Sequence, residues 1–176
     1  MKTIIYTAAL LICSAFIPSG KALIKEEKFN LEMHGIVKVA IANTKGINGI
    51  LDSAVITVFD RANHLTNTCY QNKSGMCRFS LPLNDEFTIV CSREGYVSKT
   101  VYVNTRVPDR KMENYHFYFD ISLFQAVKGI DHSIFNRSIA KIIYNNYRKG
   151  FKPKGNREKI NKRLVKEYVK HYNVHS

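Results

Sequence analysis

Two stretches decide the fold: Met76-Cys77-Arg78-Phe79-Ser80-Leu81-Pro82 and, four residues on, Phe87-Thr88-Ile89-Val90-Cys91-Ser92. In each, apolar side chains fall on every second position, the period of a strand with one face in a core. Asn84, Asp85 and Glu86 between them carry turn chemistry, which predicts a hairpin. In that hairpin Leu81 faces Phe87, Phe79 faces Ile89 and Cys77 faces Cys91, so one register buries the large side chains and opposes two sulfurs.

The same alternation extends outward on both sides. It predicts strands over 35–42, 54–59 and 65–70 before the pair. After it come 97–104, with Val101 and Val103 set against Lys99 and Tyr102, and 115–124. Turn residues separate them: Asn43 to Gly49, Asp60 to Asn63, Asn72 to Gly75, Gly95, and Pro108 to Asn114. Seven short strands at this spacing predict an all-β, two-layer antiparallel sandwich over 34–124, preceded by a linker over 23–33. Downstream, 125–155 reads as an irregular connecting segment, with Gly150, Pro153 and Gly155 marking a loop. From 156 to 173 the period turns helical: Ile160, Leu164, Tyr168 and Tyr172 recur at four-residue steps amid Lys and Arg, which predicts a basic amphipathic C-terminal helix.

Residues 1–22 have the build of a secretory signal. Lys2 precedes an apolar run from Ile4 to Ile17, and Pro18, Gly20 and Ala22 follow. The run is shorter than the roughly 20 residues a membrane helix needs. Cys13 lies inside it rather than after small residues at a cleavage site, so the expectation is an exported periplasmic or cell-envelope-associated protein rather than a lipoprotein.

Without residues 1–22 the chain holds 25 basic and 14 acidic residues, a formal +11. From Lys141 onward it carries eleven basic residues against Glu158 and Glu167, so +9 of that excess lies at one end. A basic interaction surface is therefore placed there, at Lys159, Lys162, Arg163, Lys166 and Lys170, facing a protein partner or an anionic membrane. Nucleic acid is not an expected partner, because export removes the chain from it and no stacking aromatics interleave with the charge.

Three cysteines remain after export, enough for one disulfide and a leftover thiol. The hairpin register favours Cys77 with Cys91; Cys69 with Cys77 is the competing pairing. The histidines at 34, 64, 116, 132, 171 and 175 form no metal-ligand motif, and no glycine-rich phosphate loop occurs. No enzyme, no cofactor and no metal are therefore expected. Lys38 is a candidate for an isopeptide cross-link, but it falls on the face opposite Val37, Val39 and Ile41, where exposure is the simpler account.

Asp52 to Asp60, then Asn72 to Pro82, then Phe87 to Lys99 follow an order that resembles the carboxypeptidase regulatory-like domain, a transthyretin-like, immunoglobulin-like β-sandwich of Gram-negative exported proteins. The most specific piece is Ser92-Arg93-Glu94-Gly95-Tyr96, which is similar to the family's Ser-Lys-Glu-Gly-Tyr. Asn72 stands where the family often has Asp. The resemblance gives Gly75 and Gly95 the role of turn residues and lets Tyr96 cap the core. It implies a non-catalytic module that binds a protein or another envelope component. Two alternatives accompany that reading: attachment to a membrane surface through the basic helix, and a carbohydrate-binding accessory role.

Overall fold

The structure, a computed structural model, describes residues 28–39, 49–51, 53–72, 74–126, 128, 132, 135, 137–154, 166 and 170. Nine strands run in chain order: β1 (Asn30–Val39), β2 (Val55–Asp60), β3 (Leu65–Tyr70), β4 (Met76–Pro82), β5 (Glu86–Ser92), β6 (Lys99–Asn104), β7 (Tyr115–Leu123), β8 (Ala140–Asn145) and β9 (Gly150–Lys154). They form a three-stranded sheet in the order β4-β1-β7 and a six-stranded sheet in the order β3-β2-β5-β6-β8-β9. The alternating apolar positions of both meet in one interior. Leu31, Met33 and Val37 of β1, Phe79 and Leu81 of β4, and Ile121 and Leu123 of β7 face Ile56 and Val58 of β2, Phe87 and Ile89 of β5, and Val101 and Val103 of β6. The chain is thus a two-layer β-sandwich.

Four expectations need correction. Among the described residues there are nine strands rather than seven, and the sheets are mixed rather than antiparallel, because β1 pairs with β7 and β6 with β8 in parallel. β1 begins at Asn30, inside the segment read as linker, since Leu31 and Met33 already alternate with Glu32 and His34. The segment read as irregular contributes β8 and β9. Pro153 is tolerated in β9 because, among the described residues, this is the outermost strand, with one side free of ladder bonds.

The fourth correction concerns the pair of stretches that decided the fold. β4 and β5 each bury alternate residues as read, but they are not a hairpin: β4 pairs with β1, and β5 with β2 and β6. The turn at 83–85 is a corner that carries the chain from one sheet to the other. Thr105, fully buried, fastens it: its single hydroxyl hydrogen is shared between the carbonyls of Pro82 (2.8 Å) and Asp85 (3.0 Å), and its oxygen accepts from the Asp85 amide (2.9 Å). Replacing Thr105 with valine keeps the shape and takes the hydroxyl partner from the Asp85 amide and the Pro82 carbonyl, while the Asp85 carbonyl still accepts from the backbone amide of residue 105. The expected loss is about 1–2 kcal/mol, read as a lower urea midpoint at unchanged slope.

A second corner joins β3 to β4. The Asn72 side-chain oxygen accepts from the amides of Ser74 and Met76, both at 3.0 Å, and Gly75 sits at φ +75°. An aspartate makes the same bonds, which is why asparagine serves at this position. Gln71 donates to the carbonyls of Val37 and Gly75, tying the corner to β1.

Candidate functional site

Corners that switch sheets set which residues can meet. Because β4 lies in the three-stranded sheet beside the edge strand β3 of the other, the disulfide joins Cys69 to Cys77. The expected Cys77–Cys91 bridge does not form: its two strands lie in opposite sheets. Cys91 is a buried free thiol. Its cross-strand neighbour is Lys99, which is only 4% exposed. The expectation set Lys99 opposite Val101 and Val103, yet period two places all three on the inward face. The Lys99 ammonium lies 4.2 Å from the centre of the Phe124 ring, a cation–π contact that replaces part of its lost hydration. Burial pushes the Lys99 amine down to about 8, with the Cys91 thiol opposing that shift, and burial pushes the Cys91 thiol up to about 12.

Gly95 adopts φ +76°, and Tyr96, half-buried, packs on the core while Arg93 sits 5.5 Å from its ring centre. Of the basic helix, Lys166 and Lys170 are helical and exposed; Lys159, Lys162 and Arg163 lie outside the described residues, as do the signal-like segment 1–22 and the turn at 43–48. The charge is not confined to that helix. Lys141, Arg148, Lys149, Lys152 and Lys154 belong to the β8–β9 hairpin, so the sandwich itself has a basic edge.

The richest chemistry stands on the outer face of the three-stranded sheet. Glu32, His34 and Lys38 project from its central strand, with Arg78 beside them on β4 and His116, Tyr118 and Asp120 on β7. Lys38 is not buried as an isopeptide lysine requires; it pairs with Asp120 at 2.6 Å near solvent. In the parallel register Glu32 lies opposite His116 and His34 opposite Tyr118. One ligand atom from each of Glu32, His34 and His116 lies within 4.8 Å of the other two.

The His34 ring stacks on Tyr118, centroids 4.5 Å apart and planes 17° from parallel. Both of its nitrogens are buried without a hydrogen-bond partner. Each such orphan costs on the order of 1–3 kcal/mol, so the site is built around an unmet demand. This grouping carries no signal in the sequence, because Glu32 and His116 are far apart in the chain and only the β1–β7 pairing unites them.

Beside this face, a cavity of about 540 Å³ runs along β7. His34 and Ile36 line it from β1, Phe117, Tyr118, Phe119, Asp120 and Ile121 from β7, Ile142 and Pro153 from the other sheet, and Ile139 from the residue just before β8. Residues from both faces of β7 reach it, so it follows the strand edge that pairs with no other strand among the described residues.

Neither a protein-family model nor a curated protein matches the chain. Among solved structures it is similar to the TIE protein of Bacillus anthracis, at 15% identity and a TM-score of 0.43 over 56% of this chain and 18% of that one. It is also similar to catechol 1,2-dioxygenase of Acinetobacter sp. ADP1, at 12% identity and 0.42 over 61% and 56%, and to a minor pilin of Streptococcus agalactiae, at 10% and 0.40 over 59% and 48%. The chain spans less than two thirds of the length of each. Likenesses at this level carry no argument about activity.

Proposed function

We propose that this chain is an exported, non-catalytic β-sandwich of the cell envelope that binds an extended segment of a protein partner along the free edge of β7. The observation carrying this reading is that edge itself: nine residues long, paired only with β1 among the described residues, and flanked by an apolar cavity. A strand with an unused row of backbone donors and acceptors is a template for an added strand, and pockets beside it take alternate side chains. The opposite edges are less available. β3 is stapled to β4 by the disulfide, and β9 carries Lys152, Pro153 and Lys154, residues that discourage pairing.

Supporting export are the signal-like residues 1–22 and the disulfide, which persists in oxidising compartments. Supporting membership of the carboxypeptidase regulatory-like group are the two-sheet architecture and the 92–96 motif. The mature protein is expected to begin near Leu23, which intact mass determines directly.

The test places a photo-crosslinking side chain at position 117 or 119 of β7, or at control position 67 of β3, in the full chain expressed in its native envelope. A discrete intermolecular adduct from the β7 positions and none from β3 is expected. Equal labelling at all three, adducts only within the chain, or adducts only with glycan or lipid would overturn the proposed mode.

A further inference from the structure

We propose that Glu32, His34 and His116 bind a divalent transition metal ion, Zn²⁺ in the first instance, on the outer face of the three-stranded sheet. Three observations converge on it. Glu32 and His34 are two apart on β1 and so share a face, and the parallel pairing with β7 sets His116 opposite Glu32, which makes a triangle of donors from two adjacent strands. Their ligand atoms already lie within 4.8 Å of one another. A tetrahedral ion with bonds of about 2.0–2.2 Å needs neighbouring donors about 3.4 Å apart, a closing motion that the exposed Glu32 and His116 side chains supply by rotation.

The third observation is His34. It is 9% exposed, and neither ring nitrogen has a partner, although a neutral imidazole offers one donor and one acceptor. A metal ion meets the acceptor's demand. Tyr118, stacked on the ring, holds its plane and limits the ordering that binding requires. Two imidazoles with one carboxylate select Zn²⁺ and its d-block neighbours over Ca²⁺ and Mg²⁺, which prefer all-oxygen sets. Three protein ligands leave one tetrahedral position for water or for a donor from a partner. Among the described residues, Arg78 is opposite His34 on β4 with its Nε turned to the Met76 sulfur at 3.3 Å, and Lys38 is neutralised by Asp120.

Titration of the full mature chain with Zn²⁺ against a chromogenic chelator tests this. One ion per chain is expected, with affinity at least tenfold lower in His116→Ala and in Glu32→Gln, both exposed positions where folding is preserved, as circular dichroism verifies. Co²⁺ is expected to give the intense visible absorption of a four-coordinate site, without the thiolate band that binding at Cys91 would produce. A His171→Ala/His175→Ala chain is expected to bind as the parent does. Absence of saturable binding, equal affinity for Ca²⁺, or loss of binding only in the His171→Ala/His175→Ala chain would overturn the assignment.

Discussion

Replacing Cys69 and Cys77 together by alanine is expected to lower the stability of the sandwich by about 2.5 kcal/mol, the chain-entropy value for so short a closed loop. The bridge spans a sequence separation of only eight, yet it joins an edge strand of one sheet to an edge strand of the other. Its loss therefore unpins β3, whose side chains are mostly exposed and whose only sheet neighbour among the described residues is β2. Urea denaturation gives the difference. Reducing agent added to the parent protein should reproduce most of it, because the thiols remain in place. A double variant as stable as the parent would show that β3 and β4 are held together by packing alone.

The second large effect has the opposite sign. Lys99→Met is expected to stabilise the protein by about 2–3 kcal/mol at pH 7. An amine whose folded value is about 8 against an ordinary 10.5 costs the folded state about 1.4 kcal/mol per unit, and the lost contact with Phe124 offsets part of the gain. The pH dependence separates Lys99 from Cys91. Below pH 8 the amine is protonated in both states and the penalty is complete. Between 8 and 10.5 the unfolded chain holds the extra proton, so stability rises with pH.

For the thiol, the folded value near 12 exceeds the ordinary 9.0. Above pH 9 the unfolded chain has ionised while the folded one has not, and stability falls. Together the pair contributes a rise between pH 8 and 9, a plateau to about 10.5, and then a decline. Cys91→Ala is expected to extend the rise through the plateau. Lys99→Met is expected to remove the rise and leave the decline.

Much of this architecture was legible in the chain because alternation reports burial. Cys77, Phe79 and Leu81 are inward, and so are Phe87, Ile89 and Cys91, as their spacing says. What alternation does not report is the sheet to which a strand belongs. Asn84, Asp85 and Glu86 suit a hairpin turn and a sheet-changing corner equally, and the residue that fixes the corner, Thr105, lies twenty positions away. The wrong partner for Cys77 follows from that one ambiguity.

Elsewhere the signal was present and masked. Leu31 and Met33 alternate with polar neighbours, but Gly35 interrupts the pattern; Ile142 and Phe151 are buried, but Pro153 and two glycines surround them with loop chemistry. Lys99 is different. A lysine at an inward position contradicts the ordinary meaning of the residue, and only the packing of Phe124 and Cys91 around it shows that the position outweighs the charge. The outer-face donors belong to a further class, since parallel pairing between the first strand and the seventh is a property of the assembled sheet.

The two-layer arrangement and the disulfide pairing both depend on β4 and β5 standing in opposite sheets. A non-reducing tryptic map measures this directly, since cleavage after Arg61, Lys73, Arg78 and Arg93 places Cys69, Cys77 and Cys91 in three different peptides. The expected result is peptide 62–73 linked to 74–78, with 79–93 carrying a free thiol that is modified only after unfolding. Recovery of 74–78 linked to 79–93 would put Cys77 beside Cys91 in one hairpin and contradict the two-sheet arrangement.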